Sequence, residues 1–170
     1  MVTLLSGPPE NAFRQALLER IQGQWRENCG IVAEIKSLPP EELYAPWPAG
    51  PIFGRRFDVA VFPWLTGAQP PCDLYLTRSL ADDASPGGAN DTGYSNPEFD
   101  AACQAGLAAL DEPTRRARHA EAQAIFTQDL PSLPLFFRIR VGAAVPGVRG
   151  YWVDSTAHSD LWNIEAIHSR

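Results

Sequence analysis

A chain of 170 residues, 45% of them hydrophobic and five of them tryptophan, carries enough apolar surface for one sizeable core. Its 14 basic and 20 acidic residues give a net charge of −6, and no stretch gathers Lys or Arg into a stripe that neutralises phosphates, which argues against a nucleic-acid partner. No run of about 18 apolar residues is present to cross a bilayer, and the N-terminus lacks the basic and apolar regions of a signal peptide.

The chain opens with a short apolar run, Val2 to Leu5, closed by Ser6-Gly7-Pro8-Pro9. Phe13, Leu17, Leu18, Ile21 and Trp25 then recur at helical spacing until Cys29-Gly30 stops them, and Ile31 to Leu38 alternates as a strand does. This β-α-β order predicts a parallel pair joined by a right-handed crossover. From Pro39 to Gly54 five prolines leave room only for a turn of helix around Glu41 to Tyr44. Tyr44, Trp47, Ile52 and Phe53 are too apolar for a disordered linker and are expected over the core or along a cleft edge.

Phe57 to Phe62 reads as a third strand that ends before Pro63-Trp64. A turn, a short helix over Asp73 to Leu80 and a flexible loop over Ala81 to Thr92 are expected next. Asn96-Pro97 marks a helix start, because Pro97 suits the first helical position and Asn96 accepts from a free backbone donor; Ser95 and Glu98 have capping-box spacing as well. That helix is expected to reach Leu110 and a second to run from Pro113 to Gln128. Phe137, Ile139 and Val141 alternate with Arg138 and Arg140, predicting a long strand from Leu135 to Val145, with another short strand over Tyr151-Trp152-Val153.

Signals for chemistry are weak. His119 is expected on the polar side of its helix beside Arg118, and His158 and His168 fall in no metal-ligand pattern. Asp82 to Asp91 contains the oxygen ligands of a calcium loop, but the acidic residues do not alternate and no glutamate closes it. There is no P-loop, nucleophile elbow or dinucleotide fingerprint. The reading is therefore of a protein without cofactor or catalytic residues. Arg115, Arg116 and Arg118, with Glu121 three residues beyond the last, read as a solvated helix face.

The joint order of "FDVAVFPW", "GYSNPEFDAAC", "EAQAIFTQDLPSLPLFFR" and "LWNIE" across residues 57 to 165 resembles the C-terminal third of the oligopeptide- and dipeptide-binding proteins, the family 5 solute-binding proteins of ABC importers. The resemblance implies an α/β lobe of the type II periplasmic-binding-protein fold, a mixed sheet flanked by helices. It implies a second-lobe segment over 1–150 and a tail over 151–170 that returns to a first lobe. It implies an extracytoplasmic protein that captures a peptide or related small solute, partners an ABC permease and is not an enzyme.

Trp64 stands at a strand end, where open α/β sheets present ligands, before small or polar residues. With Leu65, Thr66, Gly67, Gln69, Asn90 and Tyr94 it makes the expected ligand-binding set. In the resembling family an acidic residue a few positions past this tryptophan often meets the ligand's amino group. Here Gly67 or Ala68 stands there, and no carboxylate occurs until Asp73. That departure weakens recognition of a free peptide N-terminus, since a buried ammonium needs a counter-charge, and leaves solute binding intact.

If the intact protein is exported, Cys72 and Cys103 form a disulfide; the alternative is a pair of small buried hydrophobes. Cys29 is left over. The tail residues Trp152, Leu161, Trp162 and Ile164 are expected to have lost packing surface, so that the tail pairs two copies, folds back or stays mobile. Two other classes stay open: a stand-alone interaction module binding through its aromatic tail, and a small hydrolase using Cys72 or Cys103 with a histidine.

Overall fold

The computed structural model describes residues 1–63, 71–137, 139, 141–154, 156–157 and 159–169. By their contacts the chain divides into two compact parts, Met1–Trp64 with Cys72–Pro131, and Leu65–Pro71 with Ser132–Arg170. Residues 132–150, expected with the preceding segment, are grouped with the tail.

In the first part β1 (Val2–Ser6), α1 (Ala12–Cys29) and β2 (Ala33–Ser37) form the expected β-α-β unit. Asn11 starts α1 by accepting the Arg14 N–H at 2.9 Å, and Gly30 ends it at φ 66°, a left-handed value that glycine adopts without strain. β1 pairs in parallel with β2 on one side, from Val2 opposite Ala33 to Ser6 opposite Ser37, and with β3 (Val59–Ala60) on the other, giving the order β2-β1-β3. The third strand is shorter than expected. The Asp58 carboxylate takes the Thr3 N–H at 2.7 Å in place of a ladder carbonyl, and beyond Ala60 only the Val61 N–H to the Leu5 carbonyl continues the pairing.

Alternation along β1 assigns its two faces. Leu4 is buried with Leu18 of α1 and Ala33, while Leu5 is buried with Leu43 and Ile52. The second cluster belongs to the proline-punctuated segment, in which α2 (Pro40–Leu43) is the expected turn of helix. That segment covers the sheet face opposite α1, which is why it carries large apolar residues. Each fully buried leucine stabilises the fold by roughly 1.5–3 kcal/mol.

A separate core surrounds the disulfide. The expected helix over Asp73 to Leu80 is instead two 3₁₀ turns, Cys72–Tyr75 and Thr77–Ser79. The Asn90 amide donates to the Leu76 carbonyl at 3.0 Å, occupying the acceptor that an α-helix would offer to Leu80. α3 (Pro97–Ala108) starts as predicted, the Asn96 carbonyl oxygen accepting from the N–H of Glu98 at 2.9 Å and of Phe99 at 3.3 Å. α4 (Glu112–Asp129) is capped by Asp111, which accepts the Thr114 N–H at 2.8 Å. Phe99, Ala102 and Cys103 of α3 pack with Ala122 of α4, Cys72 and Leu76.

In the second part β4 (Val148–Arg149) pairs antiparallel with β5 (His168–Ser169), so parallel and antiparallel pairings occur in different sheets. Gly150 lies at φ 74°, and a Cβ there would strike the Ala166 carbonyl. The strands expected over Leu135 to Val145 and Tyr151 to Val153 do not form among the described residues. Their alternation is real, but a strand needs a neighbour for its N–H and C=O groups, and neither described sheet extends to these residues. Phe136, Phe137, Ile139, Val141 and Val145 are exposed.

Candidate functional site

The strand order β2-β1-β3 has a reversal built into it. From β1 the chain passes through α1 to β2 on one side, then crosses to β3 on the other, so the ends of β1 and β3 flank a topological switch point, where open parallel sheets hold ligands. Ser6-Gly7-Pro8 leaves one strand there and Val61-Phe62-Pro63 leaves the other, tied by the Ser6 hydroxyl donating to the Val61 carbonyl at 2.6 Å. The expected ligand residues Trp64, Leu65, Thr66, Gly67 and Gln69 follow directly in sequence and lie outside the described residues.

Around this edge stand groups that the sequence did not single out for binding. The Tyr44 ring meets Phe62 edge-on at 6.3 Å. Burial pushes the Tyr44 hydroxyl up, Arg14 in the first turns of α1 opposes this, and Asp91 adds to it. Asp91 is almost fully buried, with Oδ1 lacking a hydrogen-bond partner. Burial raises its carboxyl to about 6 against the pull of Arg55. Arg55 itself lies over the Trp47 ring, 4.7 Å from its centre, and donates to the Ala81 carbonyl at 3.0 Å. An aromatic ring and both signs of charge thus converge near the β3 end. No spacing rule connects these residues; only Tyr44 and Trp47 were flagged, as possible cleft-edge aromatics. Apart from this cluster, a depression of about 630 Å³ opens at the end of β2 between Lys36, Glu41, Glu42 and Arg56.

Two members of the expected ligand set are committed elsewhere. Asn90 is wholly buried; its amide donates to the carbonyls of Leu76 and Tyr94 and its oxygen accepts from the Thr92 hydroxyl at 3.0 Å. Tyr94 is half-buried against Phe99 and donates its hydroxyl to Asp129 at 2.7 Å. Burial and then that bond raise the Tyr94 hydroxyl far above its ordinary value, while the bonds from Tyr94 and Asn96 lower Asp129. Both residues brace the loop that carries them. The loop expected to be flexible is correspondingly tied down: Asp82 accepts from the N–H of Ala84 and Ser85, and Asp83 takes the Trp47 indole N–H at 2.9 Å.

The disulfide Cys72–Cys103 is present, with Cα atoms 5.8 Å apart, and Cys29 is free and exposed. His119 departs from expectation. It is half-buried, turned toward α3, with Nδ1 3.9 Å from the Cys72 sulfur. This is the Cys–His contact that a hydrolase needs, yet the sulfur is held in the disulfide and is not a nucleophile. The arginines of α4 lie as read, on a solvated face with Arg115 and Arg116 paired to Glu112 and Arg118 to Glu121.

Sheet order and switch point define an α/β segment of the periplasmic-binding-protein type. No family model matches the chain. Di/tripeptide-binding protein 2 of Pseudomonas aeruginosa (strain UCBPP-PA14) is 28% identical over 160 residues, 94% of this chain and 28% of that protein. The Escherichia coli murein tripeptide binding protein MppA superposes with a TM-score of 0.72 at 18% identity, over 99% of this chain and 30% of that one. NikZ from Campylobacter jejuni, solved in complex with Ni(L-His), superposes with a TM-score of 0.69 at 13% identity, over 99% and 33%. The chain is therefore similar in sequence to a di/tripeptide-binding protein and shares the fold of periplasmic binding proteins, and it spans about 30% of the length of the relatives it matches. The P. aeruginosa relative and MppA are both named as binding proteins.

Proposed function

We propose that this chain supplies one wall of the solute cleft of an extracytoplasmic solute-binding protein that captures a peptide or related small solute for an ABC permease. The observation that carries the reading is the match along 94% of the chain to a di/tripeptide-binding protein. The switch point at the ends of β1 and β3 supports placing the solute surface on the segment after Pro63, with Trp64 as its aromatic platform. In the intact protein two lobes would close over the solute by hinge motion and then dock on the permease. The tail over 151–170, with Trp152, Leu161, Trp162 and Ile164 exposed, is proposed to pack against the other lobe. A homodimer through this tail has no support among the relatives and is not proposed.

The cargo class stays at peptide or small solute. Gly67 and Ala68 offer no counter-charge for an ammonium group, and the neighbouring relatives carry cargo as different as murein tripeptide and Ni(L-His). A hybrid in which this chain replaces the matching segment of di/tripeptide-binding protein 2 tests the reading by calorimetry with a di- and tripeptide panel. Saturable one-to-one binding by the folded hybrid is expected. A folded hybrid that binds no panel member, nor any small solute in a wider screen, contradicts it.

A further inference from the structure

His119 has no place in the proposed solute surface, and the structure holds it at a cost. Its ring lies against Gly106 of α3, where an added Cβ would meet Cε1, Nδ1 and Nε2 at 3.1–3.2 Å, so the imidazole is packed tightly between the two helices. Nε2 is buried and without a hydrogen-bond partner, which is unfavourable for a polar ring atom. Nδ1 faces the Cys72 sulfur at 3.9 Å. A disulfide acting only as a staple needs two sulfurs in register and gains nothing from an imidazole beside one of them. The two cysteines also differ in access, since Cys72 is 9% exposed and Cys103 not at all.

We infer that Cys72, Cys103 and His119 form a thiol–disulfide exchange site for an external dithiol, Cys72 being the exchanging sulfur and Cys103 the buried resolving one. An incoming thiolate attacks Cys72 Sγ; the bond to Cys103 Sγ breaks, its electron pair goes to Cys103, and that sulfur takes a proton. The second thiolate of the reductant then attacks its own sulfur in the mixed disulfide and displaces Cys72. The dithiol leaves as a disulfide, the protein gains two electrons, and the two thiol protons end on Cys103 and on the His119 ring. A thiolate beside an imidazolium is stabilised, more so where water is scarce. The reduced state therefore gains from His119 what the oxidised state does not. This inference is independent of which solute the protein carries.

The test equilibrates the folded chain, in a Cys29→Ser background, with mixtures of reduced and oxidised dithiothreitol, and reads the Cys72–Cys103 thiol fraction by alkylation and mass. His119→Gln is expected to shift the equilibrium toward the disulfide by about tenfold. Ala102→Gly, which loosens the same core without touching the imidazole, is expected to shift it by less than about twofold. A shift below about twofold for His119→Gln, or an equal shift for Ala102→Gly, overturns the inference. A second readout needs no histidine variant: the mixed disulfide trapped with limiting glutathione maps to Cys72, and its mapping to Cys103 overturns the assignment.

Discussion

Phe99 and Phe137 carry the same side chain and sit at opposite extremes of exposure, 1% and 97%. The first lies where α3, α4 and the 3₁₀ turns supply a closed apolar neighbourhood with its own covalent tie. The second belongs to a segment whose alternating pattern is as clear but which lies in neither described sheet. Pattern alone states which faces want burial. Whether they are buried depends on what else is present, and Phe137, Ile139 and Val141 keep the pattern while standing exposed.

That contrast can be broken by mutation. Phe99→Ala should destabilise the first part by about 3–5 kcal/mol in chemical denaturation, the usual cost of emptying an aromatic core site. A loss under about 1 kcal/mol would mean that this core is not the one that holds the helices. Replacing both Cys72 and Cys103 by serine should cost about 3–4 kcal/mol in the chain-entropy model for a loop with a sequence separation of 31. An unchanged denaturation midpoint would remove the staple from the account.

Asp91 sharpens the comparison through pH. Its carboxyl is raised from 3.8 to about 6 by burial, so the folded state holds the proton more tightly than the unfolded chain. Its contribution to stability is fully present below about pH 4 and is lost as pH rises through about 6. Asp91→Asn should remain as stable as the parent at low pH and become the more stable of the two above pH 6, as read by thermal midpoints across that window. A parent-minus-variant difference that does not vary with pH would contradict the buried placement. Asn96→Ala should cost about 1 kcal/mol by removing the α3 cap. Phe137→Ala should stay within about 0.5 kcal/mol, and a larger loss would show that the segment after Pro131 has a cover of its own.

The parts legible in the sequence were those decided by short-range chemistry. Asn96-Pro97 specifies a helix start whatever surrounds it, and Gly30 specifies a stop. The β-α-β opening follows from periodicity and the handedness of its crossover. The disulfide followed from the premise of export. Long-range assignments failed where one side chain replaced backbone. Asp58 substitutes for a ladder carbonyl and shortens β3, and Asn90 takes a helix acceptor and breaks the expected helix into two turns. His119 was readable in retrospect, since it shares one helical face with Ala122 and Phe126 at spacings of three and seven. The cluster of Tyr44, Arg55 and Asp91 was not, because three distant segments meet there.

The central claim is that solute contact belongs to the segment leaving β3 and not to the exposed apolar surface after Pro131. In the hybrid with di/tripeptide-binding protein 2, calorimetric affinity for the best-binding peptide is measured for Trp64→Ala and Phe137→Ala side by side. The account predicts a loss of about tenfold or more for Trp64→Ala, the scale expected for an aromatic anchor, and less than about twofold for Phe137→Ala. The reverse order, or equal small effects, would contradict it.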